Sequence, residues 1–137
     1  MTKQLVLHND VQQIALLADF IDAVAEATGI EPSLAMSLNL ALEEAVTNVV
    51  MYAYSEGTDG LVDITAETKG QVLTFVIKDS GKAFDPTQKE EADITLSAEE
   101  RPIGGLGIFL VMNLMDEVKY ERENGYNILT MSKKLME

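Results

Sequence analysis

Two pairs of alternating segments in the second half of the chain restrict the fold more than any other feature. Val62, Ile64 and Ala66 recur at every second position of Leu61–Thr68, against polar neighbours. Gly70-Gln71 interrupts the pattern, and Val72–Lys78 follows. A period of two marks a strand with one face buried, because successive side chains point to opposite faces. With the break at Gly70, the pair reads as an antiparallel hairpin. Asp116–Glu123 and Tyr126–Leu135 form a second hairpin around Asn124-Gly125, a dipeptide suited to a two-residue turn. A short first strand, Lys3–Leu7, puts Leu5 and Leu7 on one face.

Strands of this kind need a covering layer, and two helices supply it. Ile14, Leu17, Ala18, Ile21, Val24 and Ala25 recur at helical spacing. Asn9 or Asp10 can cap that helix, which runs to about Ala27 and ends at Gly29. Glu31-Pro32-Ser33 opens a second helix, since proline suits the first helical turn. It runs from about Ser33 to Tyr52 or Tyr54 and is rich in Ala, Leu and Met, all good helix formers. Gly57–Gly60 is a turn. These elements predict an α+β two-layer sandwich, with a mixed, mostly antiparallel sheet and the helices on one face. A chain of 137 residues without internal repeats predicts one domain over 1–137.

The segment of about 82–103 breaks the pattern. It holds Pro86 and Pro102, many charges and few bulky apolar side chains. A stretch this long inside a compact domain is usually a functional lid or a disordered loop. After it, Gly104-Gly105-Leu106-Gly107 leads into an apolar helix, Ile108–Met115.

Charge narrows the partners. There are 23 acids against 10 bases, a net charge of -13. Such a surface repels the phosphates of nucleic acid and suits a basic protein partner, or serves solubility alone. A polyphosphate would need backbone N–H donors and a cation. The absence of cysteine excludes disulfides and thiolate metal sites. No apolar run approaches the ~20 residues of a membrane span, and the first residues lack the apolar core of a signal peptide. A cytoplasmic location is expected.

Three constellations can carry chemistry. Glu44 and Asn48 lie four apart on the second helix, beside small Ala41 and Ala45. A carboxylate there can accept a proton, and an amide oxygen can ligate Mg²⁺. Asp79-Ser80-Gly81 ends a strand, where a carboxylate can accept from an exocyclic amine such as that of adenine, and Gly81 admits close approach. Gly104, Gly105 and Gly107 expose backbone N–H groups at a helix start, which favours phosphate. Singly, each also reads as a solvated face, a strand-ending turn or a tight loop. In this order they supply the parts of a nucleotide-triphosphate site.

These segments resemble the GHKL, or Bergerat-fold, ATPases, and among them the bacterial anti-sigma factor serine kinases. Leu42–Asn48 is similar to the N box, Asp79–Pro86 to the G1 box, and Gly104–Leu110 with Leu114–Val118 to the G2 box and the strand entry that follows. The resemblance implies the Bergerat ATP-binding fold, with ATP and Mg²⁺ as cofactors. It implies that Glu44 is the general base and that Asn48 holds Mg²⁺. Asp79 would take the adenine amine, with Gly81 lining the base pocket. Gly104, Gly105 and Gly107 would face the phosphates, and Arg101 would approach the γ-phosphate. Implied partners are a sigma factor, a STAS-type antagonist carrying the phosphoacceptor, and a second copy of the chain across the first helix or final sheet. The chain departs from the pattern at Ala83, a common glycine, and at Gly125-Tyr126-Asn127, where relatives often have Gly-Thr. Either Asn127 takes over that threonine's role or the adenine end is held more weakly.

Two other functions use the same residues. One is an ATP-dependent protein-binding switch without kinase activity, and the other is a slow ATPase with water as acceptor. His8 is the single histidine, which argues against a histidine autokinase.

Overall fold

The computed structural model describes residues 1–55, 57–88 and 111–135. Arg101, Gly104, Gly105, Gly107 and most of the expected lid lie outside the described residues. The chain opens with β1 (Thr2–His8). A 3-10 turn, Val11–Ala15, leads into α1 (Leu16–Thr28), so the first helix starts more tightly wound than its spacing predicts. Asp10 caps that turn by accepting the Gln12 N–H at 2.9 Å, and the Gly29 N–H ends α1 on the Ala25 carbonyl at 2.8 Å. The second helix, α2, spans Pro32–Asn48. It does not continue as α-helix to Tyr52 or Tyr54, because Val49–Ala53 widens into a π-turn.

The strands β2 (Leu61–Lys69), β3 (Val72–Asp79), β4 (Glu117–Glu123) and β5 (Tyr126–Lys134) follow the expected hairpins. With β1 they make one sheet in the order β1-β2-β3-β5-β4. Every described pairing is antiparallel, so the sheet is simpler than the mixed one expected. The β4–β5 turn has positive φ at both Asn124 (52°) and Gly125 (83°). That geometry matches the twist of two strands joined by two residues and so sets their register.

One face of the sheet is the core. Leu7, Val62, Ile64, Ala66, Leu73, Phe75, Ile77, Leu129 and Met131 are all buried on it. Leu17, Phe20, Ile21 and Val24 of α1 meet them from the other layer. Their spacing is that of one helix face, and full burial of each such side chain stabilises by roughly 1.5–3 kcal/mol. From α2, Ala35, Leu38, Ala41, Leu42, Ala45 and Val46 join the same core. The small residues among them let α2 approach the strands closely, and so bring its polar positions near the end of β3.

Phe75 sits at the centre of β3 with no exposed surface. Phe75→Ala leaves a cavity between the layers and is expected to destabilise the domain by about 3–5 kcal/mol. The shift of the urea unfolding midpoint at unchanged m-value measures it.

Candidate functional site

The site begins with sheet register. Asp79 on β3 pairs with Asn127 on β5, and Asn127 pairs with Arg122 on β4. Asp79 and a hairpin pair more than forty residues further along the chain therefore stand in one row at the end of the sheet. A slip of one residue on β5 would turn Asn127 to the other face.

Asp79 is 3% exposed. Its Oδ1 accepts two N–H bonds, from the Gly81 backbone and from Asn127 Nδ2, both at 2.9 Å. Burial raises the pKa of Asp79 above the ordinary carboxylate value. The Asn127 bond, the Gly81 N–H and the nearby Arg122 guanidinium oppose that rise. Arg122 also donates to the Gly81 carbonyl at 2.7 Å. The amide of Asn127 is used on both sides: Nδ2 donates to the Lys82 carbonyl at 2.8 Å, and Oδ1 accepts from the Phe84 N–H at 3.2 Å and from the Tyr120 hydroxyl.

Gly81 has a steric reason to be glycine. A Cβ there would lie 2.3 Å from the Ala53 carbonyl oxygen. The same oxygen accepts the Lys82 N–H at 2.7 Å. The π-turn that ends the second helix thus presents a carbonyl to the Gly81-Lys82 backbone and holds the end of β3 against it. The close approach observed at Gly81 is to protein backbone.

Asn48 is 1% exposed, and both of its side-chain polar atoms, Oδ1 and Nδ2, are buried without a hydrogen-bond partner among the described residues. An unpaired buried amide costs about 1–3 kcal/mol. Described neighbours that offer it nothing suit a site whose partner is a ligand. Asn48 and Asp79 line one small cavity together with Ala45, Phe84, Tyr120 and Asn127. Its volume, about 10 Å³, is that of a single water. Val49, Ile77, Pro86 and Leu129 also line it, and Phe84 is stacked on Tyr52 at 5.3 Å between ring centroids.

Glu44 is half-buried and faces a second cavity of about 570 Å³. Among the described residues, Ser37, Leu40, Ala41, Glu43, Thr47, Asn113 and Leu114 also line it. That volume is in the range of ligand sites. Residues 111–114 are helical, as expected for the end of Ile108–Met115. Their last turn is tied down by Lys133, whose Nζ donates to the Leu114 carbonyl at 2.9 Å. Glu44 and Asn48, four apart on α2, thus serve two different cavities.

With this geometry in view, residues 7–133 match the histidine kinase-like ATPase domain family. The chain belongs to that family. It is 30% identical over 99 residues to the serine/threonine-protein kinase BtrW of Bordetella bronchiseptica, covering 72% of this chain and 70% of that one. It is 32% identical over 113 residues to the serine-protein kinase RsbW of Listeria monocytogenes, covering 80% of this chain and 72% of that one. The fold matches a crystal structure of RsbU and RsbW domains from Mycobacterium tuberculosis with a TM-score of 0.70 at 14% identity. That match covers 98% of this chain and 32% of the other. Among the described residues no helix is long and apolar enough to cross a membrane.

The sequence singled out Glu44, Asn48, Asp79 and Gly81, and the structure brings Asn48 and Asp79 to one cavity. Asn127, named as a departure from the relatives' pattern, lines it too; Phe84 and Pro86 were read only as part of a motif and a loop, and Tyr120 and Arg122 escaped notice. Only Tyr120 left a trace, since Val118 and Tyr120 alternate toward the core face of β4.

Asp79 carries a testable cost. Because its folded pKa is raised, the unfolded chain ionises first as pH climbs, and stability falls between the ordinary and the folded values. Below that window the penalty vanishes, and above it the penalty is complete. Asp79→Asn keeps an acceptor for Gly81 and Asn127 without the charge. Urea unfolding at pH 7 is expected to find it at least as stable as wild type, with any advantage shrinking toward about pH 4.

Proposed function

We propose that this chain is a serine protein kinase that binds ATP with Mg²⁺ and passes the γ-phosphoryl group to a serine of a STAS-type partner. In its other state it would sequester a sigma factor. The observation that carries this reading is the pairing of a buried, oriented carboxylate at Asp79 with a buried, unpartnered amide at Asn48 across one cavity.

The residues fit the cofactors by donor type. Asp79 would accept from the exocyclic amine of adenine. Asn48 would offer its oxygen to Mg²⁺, a hard cation that prefers oxygen ligands. Bound Mg²⁺ would neutralise charge on the phosphates, which a chain of net charge -13 needs. Glu44 faces a cavity wide enough for an incoming side chain, and would take the proton of the serine hydroxyl as general base. Gly104, Gly105 and Gly107 would present N–H groups to the phosphates, and Arg101 would meet the γ-phosphate. The acidic surface suits docking to basic regions of a sigma factor. A homodimer across the first helix or the final sheet, in the cytoplasm, completes the proposal.

One observation favours a second reading, an ATP-dependent switch without transfer. The cavity beside Asp79 is only about 10 Å³, with Phe84 and Pro86 in its lining, so a nucleotide base there would have to displace part of that lining, a change that a partner could sense. Glu44→Gln separates the two. In a kinase, phosphate transfer to a STAS-type protein drops by at least about 100-fold, while calorimetry finds ATP affinity nearly unchanged. Asp79→Ala abolishes binding with or without the metal, and Asn48→Ala removes the part that depends on Mg²⁺. Transfer at the wild-type rate by Glu44→Gln would dismiss the assigned base. A wild-type protein that binds ATP but transfers nothing would favour the switch.

A further inference from the structure

The helix layer carries a groove that takes no part in either cavity described above. It lies between α1 and α2 and has a volume of about 360 Å³. Ile21 and Ala35 line it as buried residues, and Ala25 and Ile30 as half-buried ones. On one wall stands Ala18, whose single methyl leaves the groove open, and on the other Met36, 70% exposed. A thioether side chain there adapts its shape to whatever covers it. From Ala18 to Ala25 the lining follows α1 for about two turns, roughly 10 Å. That length suits a short row of apolar side chains.

The charge around the groove has one sign. None of the chain's Lys and Arg residues lies between Lys3 and Lys69, so neither helix holds a cation. Asp22 lines the groove and is exposed. Asp19 and Glu26 stand on the same face of α1, one turn before it and one turn after it, and both are exposed. Glu31, between Ile30 and Pro32 of the lining, is exposed as well. This spacing sets like charges side by side, and Glu26 in the last turn meets the negative end of the helix dipole. Both effects weaken α1. On the sheet, by contrast, Lys119 pairs with Glu121 at 2.8 Å, and Lys133 stands 3.9 Å from Asp116. Among the described residues, none of Asp19, Asp22, Glu26 and Glu31 has such a partner.

We propose that the α1–α2 groove docks a basic amphipathic helix of a partner protein. Its apolar side chains, spaced at helical intervals, would enter between Ala18 and Met36, and its flanking Lys and Arg would meet Asp19, Asp22 and Glu26. Apolar anchors in the groove give the hold, and the cations relieve the repulsion along α1. A second copy of this chain is a poor occupant, because it would bring carboxylates against carboxylates. The proposal rests on the basic protein partner suggested above and gives that partner a place on the chain. It needs neither ATP nor phosphate transfer.

The test titrates the isotope-labelled full chain with a helical peptide of about 16 residues, leucines along one face and lysines beside them. A scrambled peptide of the same composition controls for charge alone. Nuclear magnetic resonance maps the contact, and fluorescence anisotropy at about 0.15 M salt gives the affinity. Amide shifts are expected to gather at Ala18–Glu26 and Ser33–Asn39, with the scrambled peptide bound at least about tenfold more weakly. Ala18→Phe fills the groove without changing charge, and Asp22→Lys inverts its rim. Each alters an exposed position and is expected to lower the affinity about tenfold while calorimetry finds ATP binding unchanged. If Ala18→Phe does not fold, Asp22→Lys decides. Equal affinity for the scrambled peptide, or unchanged affinity in the variants, overturns the proposal. So does a change of molecular mass in sedimentation of either variant, which would give the groove to a second copy. Shifts gathered on another face overturn the groove but leave a basic partner, whereas binding of neither peptide overturns both.

Discussion

The pairing of β3 with β5 is the constraint on which the functional end of this protein depends. It sets Asp79 opposite Asn127, and the next pairing sets Asn127 opposite Arg122. The core behind them is what makes this register unique. Leu73, Phe75 and Ile77 on β3 and Leu129 and Met131 on β5 are buried on one face, and a one-residue slip would turn one strand's set to water. The apolar core thus sets the polar row at its edge.

The second fixed point is the end of α2. Its π-turn brings the Ala53 carbonyl to the Gly81-Lys82 backbone. Helix layer and sheet layer are stapled together where the carboxylate of Asp79 and the amide of Asn48 share a cavity. Wide helical turns recur at functional sites because they redirect backbone groups that a regular helix uses internally. Two polar groups are buried here at a cost, one with a raised pKa and one without partners. Destabilised groups of this kind collect where a ligand repays them.

Much of the fold was legible in the residues themselves. The period of two in Leu61–Thr68, the left-handed turn at Asn124-Gly125 and the apolar stripe of α1 are local patterns, and local sterics enforce them. The ends were less legible. The 3-10 turn before α1 and the π-turn after α2 answer to tertiary contacts, which outweigh intrinsic helix preference. Of the site, Glu44, Asn48, Asp79 and Gly81 stood out by residue type and spacing. Phe84 and Pro86 fell inside a motif, but nothing in a phenylalanine near a turn says which cavity it lines.

What the sequence by itself determined is the set of strands and helices, and the presence of a carboxylate, an amide and a glycine at their ends. Those follow from side-chain period, caps and turn chemistry, which act within a few residues. Only the tertiary structure decided between the two outcomes open at Asn127, by setting it opposite Asp79 with its amide on the carboxylate. Register between strands as distant as β3 and β5 depends on burying whole faces at once, and no short stretch of residues encodes it.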